Sequence, residues 1–287
     1  MRMSTENERE RVQLGAAQQQ QQGDPTELLP GDPGYAPPVA SVPLPSLGKV
    51  YPADSPLHGR SALDVRAMTA RDENILTSRP LLKKGTAIGS LIRACVLDKS
   101  VDPDEMLVGD RNAVLVALRV SAYGADYEVE VQCPSCERRF KNTFVLDRLP
   151  LRQLTVDPVE PGKNRFAFTL PVIKKEVIFG LMTGASERAA RQAADEGRAK
   201  VSPGAPEENV TMALLHHVQR IGAVTDRTRL SRIIPALPAA DSKALRRHIE
   251  KITPGVVMVQ SITCPDPACG ETSEVAVPMG TEFFWPE

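Results

Sequence analysis

Tyr127-Glu128-Val129-Glu130-Val131-Gln132-Cys133-Pro134-Ser135-Cys136 is the stretch on which the fold turns. Its first six residues alternate apolar and polar without a break, the period of a strand with one buried and one wet face. Glu128 and Glu130 fall on the wet face, where nothing splits their pKa values, so they are solvent-facing charge and not a catalytic pair. Phe140 to Leu146 supplies the return arm of a hairpin. Two thiols in a Cys-x-x-Cys turn between strands can share one tetrahedral ion while backbone amides support the sulfurs. The turn is therefore half of a metal site.

The other half is Cys264-Pro265-Asp266-Pro267-Ala268-Cys269, which also sits at a strand end, between Val256–Thr263 and Ser273–Pro278. The candidate ligands are thus Cys133, Cys136, Cys264 and Cys269, and the expected cofactor is a structural Zn2+. Four thiolates leave no open coordination position, and soft sulfur favours zinc over magnesium or calcium. The second pair has four intervening residues where the first has two, and 127 residues lie between Cys136 and Cys264. A large insertion must separate the halves. Two other readings stay open: each pair is reduced thiol in its own turn, or Cys133 and Cys136 form a redox disulfide. A redox pair is expected at a helix N-terminus, where the dipole lowers a thiol pKa, whereas here a strand follows.

Working outward, the 287 residues with 41% hydrophobic content can bury a full core. Thirty-five basic against 36 acidic side chains leave a formal charge of -1, so no bulk field draws phosphate backbones or anionic lipid. No run reaches the roughly 20 apolar residues of a membrane span, and the polar N-terminus lacks a signal-peptide core. The expectation is a chain that is cytosolic when made, with no nucleic acid, membrane or small-molecule substrate as partner. Five cysteines in so long a chain fit metal binding in a reducing compartment better than a disulfide framework.

Residues 1–40 carry Gln18 to Gln22, Gly31-Asp32-Pro33-Gly34 and Pro37-Pro38 with few aliphatics, and read as a disordered arm. Ordered structure is expected from Leu44, with a short strand at Leu63 to Arg66. Thr69 and Asp72 form a capping box that starts a helix over Ala70 to Ile75. Ile88, Leu91, Ile92, Cys95 and Val96 make an amphipathic helical stripe, on which Cys95 is a core thiol. Asp110 reads as the N-cap of a helix through Ala122, with Val114, Leu118 and Ser121 on one side and Gly124 as its stop. Residues 41–150 form an N-terminal α+β part with the first knuckle.

Residues 151–254 read as the insertion, a hairpin of Phe166–Leu170 with Glu176–Leu181 followed by three helices. These are Ala185 to Lys200; Glu207 to Ile221, with Val210, Leu214, Val218 and Ile221 on one side; and Asp241 to Ile252, with His248 at the edge of a core stripe. Pro203 to Pro206 separates the first two as a loop. Residues 255–287 hold the second knuckle and the aromatic tail Phe283-Phe284-Trp285. The predicted fold is α+β, with small antiparallel strand pairs around a discontinuous, zinc-ribbon-like site of four cysteines and a strand-plus-helical insertion.

No other constellation carries chemistry. His216 and His217 are adjacent, so on a helix they point about 100 degrees apart and cannot face one ion. His58 has no evident carboxylate. Lys83-Lys84 and Arg246-Arg247 are short solvated basic pairs, and no nucleophile elbow, phosphate loop or dinucleotide fingerprint is present. The expectation is that the protein is not an enzyme.

The run Asp110-Arg111-Asn112-Ala113 through Arg119 to Tyr127, leading into Cys133-Pro134-Ser135-Cys136, resembles the baseplate hub or assembly protein family of T-even-type contractile-tailed phages. Leu44-Pro45-Ser46, Tyr51-Pro52, Thr69 to Glu73, Leu81 to Gly85, Pro278 and Phe283 to Pro286 extend the resemblance over about residues 44–287. The longer N-terminal arm and the wider second knuckle depart from that pattern. The resemblance implies a non-enzymatic structural component of a contractile tail baseplate or a factor for its assembly. Its partners would be other tail and baseplate proteins, and its location the virion tail, after assembly in the bacterial host cytoplasm. A transient tail assembly chaperone is the alternative, and a zinc-ribbon nucleic-acid binder a third. The aromatic tail either docks into a neighbour or folds back into the core.

Overall fold

The computed structural model, which describes residues 36–200, 209–279 and 283–284, consists of small antiparallel sheets packed around helices, and most of its short strands pair with a near neighbour in the chain. Strand β1 (Val39–Pro43) pairs with β2 (Ala62–Arg66), Val42 opposite Leu63. The ordered body therefore begins at least five residues before Leu44, and the arm expected to reach residue 40 overlaps a paired strand. Residues 1–35 lie outside the described residues. The loop between β1 and β2 is itself core, with Leu44, Val50, Tyr51 and Leu57 all buried.

Helix α1 (Ala70–Leu76) starts where the capping box predicts. Asp72 accepts the Thr69 N–H and the Thr69 hydroxyl, both at 2.8 Å. A short α2 (Arg79–Lys83) and α3 (Ala87–Cys95) follow, and the predicted stripe of Leu91, Ile92, Cys95 and Val96 is buried. Helix α4 (Val108–Tyr123) runs through the middle of the body and ends on Gly124 at φ 83°, as expected. Val114 and Leu118 face the core, but Ser121 is exposed. Asp110 is not the N-cap. Leu107 holds that position, and Asp110 sits in the third helical residue with its carboxylate turned inward.

The predicted hairpin is β3 (Asp126–Gln132) with β4 (Arg139–Val145), Tyr127 opposite Phe144. Tyr127 and Val131 are buried while Glu128 and Glu130 are exposed, the two acids facing Lys141 at 2.7 Å and Arg139 at 3.5 Å respectively. Strand β5 (Leu151–Arg152) then departs into the next 100 or so residues. There β6 (Phe166–Thr169) and β7 (Glu176–Phe179) form the second hairpin, followed by α5 (Gly184–Lys200) and α6 (Asn209–His217). The Pro203 to Pro206 loop lies outside the described residues.

The helix expected to continue to Ile221 stops at His217. Val218 to Ile221 is instead strand β8, which pairs with the free edge of β7 and makes a three-stranded sheet. Helix α7 (Arg227–Ile233) precedes α8 (Ala239–Ile252), whose Leu245, Ile249 and Ile252 are buried. His248 is half-buried and stacks on Phe168 at 4.6 Å between ring centres. Asp241, third in α8, accepts the Val172 and Ile173 N–H groups at 2.7 and 3.1 Å, which ties the β6–β7 turn to the helix start.

The chain returns through β9 (Gly255–Val256), which pairs with β5, Leu151 opposite Val256. This two-residue ladder closes the base of everything between. Strands β10 (Val259–Thr263) and β11 (Thr272–Ala276) form the last hairpin, Ile262 opposite Ser273. One hydrophobic cluster runs from Val42 to Phe284. No described helix is long and apolar enough to cross a membrane.

Candidate metal centre

Both hairpins that carry cysteines open toward each other. At the tip of β3–β4 the Cys133 N–H donates to the Arg138 carbonyl at 2.9 Å, and the Glu137 N–H donates to the Cys133 carbonyl at 2.9 Å, with Glu137 at φ 60°. This closed turn fixes the Cys133 and Cys136 side chains on one side. At the tip of β10–β11 the Cys264 N–H donates to the Glu271 carbonyl at 2.9 Å. The two additional residues of this wider knuckle are absorbed around Asp266. Its carboxylate accepts the Ala268 N–H at 3.0 Å, and its carbonyl accepts the N–H groups of Cys269 and Gly270 at 2.9 and 2.8 Å. Gly270, at φ 56°, then turns the chain into β11. A six-residue knuckle can thereby present its thiols as compactly as a four-residue one.

The four sulfur atoms lie within 4.8 Å of one another and could hold a metal ion. Across the knuckles, Cys133 Sγ is 3.9 Å from Cys269 Sγ and Cys136 Sγ is 3.7 Å from Cys264 Sγ. A tetrahedron with metal–sulfur bonds of about 2.3 Å has sulfur–sulfur edges of about 3.8 Å, which the two cross-knuckle distances match. Cys133 and Cys264 are buried, Cys269 is half-buried and Cys136 exposed. Backbone N–H groups of Cys136 and Ser135 pull the Cys133 thiol down to about 7. For Cys264 a backbone bond at Asp266 acts in the same direction, but desolvation and the neighbouring thiols outweigh it and push the group up to about 12. Four thiolates at these distances repel one another, and a cation among them removes the repulsion.

A residue pair that sequence reasoning missed joins the two knuckles. Arg138 Nη1 donates to Asp266 Oδ2 at 2.7 Å. Asp266 therefore shapes its own knuckle with one oxygen and holds the other knuckle's arginine with the second. The only signal available in the sequence was an arginine two residues past one pair and an aspartate inside the other. The remaining candidates stay apart from this centre. His217 Nδ1 is bonded to the Gly180 carbonyl at 2.8 Å, and His58 Nδ1 to the Tyr51 carbonyl at 2.7 Å. Cys95 lies in the core, where burial pushes its thiol up to about 11 and keeps it inert.

Two buried polar clusters hold the rest of the body around α4. Asp110 accepts the Ser46 N–H at 2.9 Å, the Ser46 hydroxyl at 2.6 Å and the Tyr51 hydroxyl at 2.5 Å. Burial still pushes its carboxyl above the ordinary range. At the other end of α4 the fully buried Arg119 donates from Nε to the Phe283 carbonyl at 2.7 Å and from Nη1 to the Gly124 carbonyl at 2.9 Å. Phe283 packs edge-on against Tyr127 with ring centres 5.4 Å apart, and both Phe283 and Phe284 are buried. For these two residues the tail folds back, whereas Trp285 lies outside the described residues.

An α+β protein whose remote strand pairs meet at a four-cysteine cluster is the class that fold and site define. A family model described as T4 bacteriophage base plate protein matches residues 42–285, and the chain belongs to that family. No curated protein and no solved structure matches. Membership implies a structural or assembly role in a phage baseplate, at the virion tail and in contact with other tail proteins.

Proposed function

We propose that the protein is a non-enzymatic structural component of a contractile-tail baseplate hub, held closed by one structural zinc ion on Cys133, Cys136, Cys264 and Cys269. The observation that carries this reading is the conjunction of a family match over residues 42–285 with four sulfurs gathered within 4.8 Å. All four donors of the cluster are sulfur, so it suits a soft ion, and four protein ligands leave no position for water or substrate. The ion's work is mechanical. It joins the β3–β4 hairpin to the β10–β11 hairpin, across the 151–254 insertion, in the reducing host cytoplasm where thiols stay available for metal.

Zinc binding in finger peptides contributes about 10 to 16 kcal/mol, comparable with or larger than the whole net stability of a typical domain. A baseplate part must keep its shape under mechanical load, and a closed thiolate site supplies that rigidity without further core. Two measurements test the proposal. Metal analysis of the purified full chain should find one zinc per chain. Protein analysis of purified mature particles should find the chain at fixed low copy. Another metal would overturn the zinc assignment, and absence from mature particles would replace the permanent component with a transient assembly factor.

A further inference from the structure

A second group of side chains, remote from the thiol cluster, points to a partner. Helices α2, α4 and α5 and the residues near the C-terminus enclose a cleft of about 390 Å³. Lys83 at the end of α2 and Lys84 just beyond it stand at its rim, Arg191 faces it from α5, and Arg111 of α4 lines its depth. Glu187 answers two of these, Arg111 at 3.0 Å and Arg191 at 3.9 Å, and Asp104 fully engages the neighbouring Arg188 through bonds of 2.6 and 2.9 Å. No carboxylate among the described residues lies within ion-pair reach of Lys83 or Lys84. The cleft is left cationic.

Arg111 adds an independent sign of a missing ligand. Its side chain is only 9% exposed, yet its Nε has no hydrogen-bond partner. A buried donor left unpaired costs about 1 to 3 kcal/mol, and native proteins rarely retain one without a use. Burial also draws the guanidinium below its usual range despite the opposing pull of Glu187. Leu115 and Phe284 supply an apolar wall beside it.

We infer that this cleft receives an acidic, partly apolar extended segment of a neighbouring baseplate protein, whose carboxylates pair with Lys83, Lys84 and Arg111. The inference rests on the baseplate reading for its partner class and on the cleft alone for its chemistry. Nucleic acid fits less well. The chain as a whole carries a formal charge of -1, so it offers no net basic field to a phosphate backbone.

The test uses the full chain and a fluorescently labelled peptide of alternating glutamate and leucine, followed by anisotropy at low and high salt. Saturable, salt-sensitive binding is expected, weakened roughly tenfold or more by joint Lys83→Glu and Lys84→Glu replacement, because reversed rim charges repel the carboxylates. Both lysines are exposed, so melting temperature and metal content should not change, which separates lost binding from lost folding. The proposal is overturned if the peptide does not bind, if a glutamine-for-glutamate peptide binds equally, or if the double variant binds as well as the parent. Displacement by an oligonucleotide of equal charge at equal concentration overturns the acidic-peptide assignment. The particle analysis described above is independent of all these outcomes, so either reading can fail alone.

Discussion

Tyr51 donates its hydroxyl proton to Oδ2 of Asp110 at 2.5 Å and accepts the Leu107 N–H at 2.9 Å on the same oxygen. One phenol thus completes the N-terminus of α4 and satisfies a carboxylate inside that helix. Asp110→Ala would strand three donors at once, the Ser46 N–H, the Ser46 hydroxyl and the Tyr51 hydroxyl. The expected cost is about 3 kcal/mol or more, with Tyr51→Phe costing about 1 to 3. Urea unfolding at constant m-value checks both, and equal stability of Tyr51→Phe and the parent would show that the shared phenol is unimportant.

Under the proposed shared-ion site, loss of any one thiol should abolish metal binding. Cys133→Ser and Cys264→Ser are each expected to lose the bound metal, although they lie on different hairpins. Stability should fall by about 5 to 8 kcal/mol, half the value for finger peptides, because a larger core shares the work. A chelator should bring the parent to the level of the variants. If either variant keeps full metal stoichiometry in elemental analysis, the two pairs do not share an ion.

Arg119 is enclosed by carbonyls and by the rings of Tyr123 and Tyr127, 5.2 and 5.8 Å away. Arg119→Met removes the donor to Phe283 while keeping most of the volume, and should free the C-terminus for proteolysis at Phe283 and Phe284. Mass spectrometry of a brief chymotrypsin digest reads the clipped product. Lysine should not restore protection, since it lacks the planar fork that reaches several carbonyls together.

Gly109 is the second residue of α4 and lies against the turn into β9. A Cβ there would sit 2.0 Å from the Pro254 carbonyl oxygen and 2.8 Å from its carbon. Both obstacles are backbone, so nothing flexible can yield. Gly109→Ala is expected to cost about 3 kcal/mol or more despite alanine's better helix propensity. A thermal melt at or above the parent's midpoint would disprove the close approach.

Acid should expose the contribution of Asp72. Burial alone would raise its carboxyl, but Arg66, at 2.6 and 2.9 Å, and Thr69 outweigh that and hold it at about 2 against an ordinary 3.8. A folded value below the unfolded one means the stabilisation is fully present above about pH 4 and is lost as pH falls through about 2. Its size is about 2 kcal/mol. Acid also strips metal from thiolates, so the readout is the stability difference between the parent and Asp72→Asn. That difference should shrink toward low pH, and a constant one would remove Asp72 from the account.

Much of this was legible from local pattern. The strict alternation of Tyr127 to Gln132, the stripe of Leu91, Ile92 and Cys95, the Thr69–Asp72 box and the Gly124 stop each express a period or a cap that depends only on near neighbours. Where local pattern admits two answers, the surroundings chose. Val210, Leu214, Val218 and Ile221 have helical spacing, yet Val218 to Ile221 also fits a strand, and the open edge of β7 offered hydrogen bonds that a helical turn would not have supplied. Asp110 looks like a cap because aspartate often is one, and only the folded Ser46–Tyr51 loop reveals the donors it serves.

By itself the sequence determined the α+β class, the two thiol knuckles and the family, because these follow from residue types at short or fixed spacing. Tertiary structure alone decided how the knuckles are brought together, through the β5–β9 ladder and the Arg138–Asp266 pair, and that Lys83, Lys84 and Arg111 share one cleft. Contacts between residues more than a hundred positions apart leave no period in a sequence. They exist only once the intervening chain has closed and buried its core.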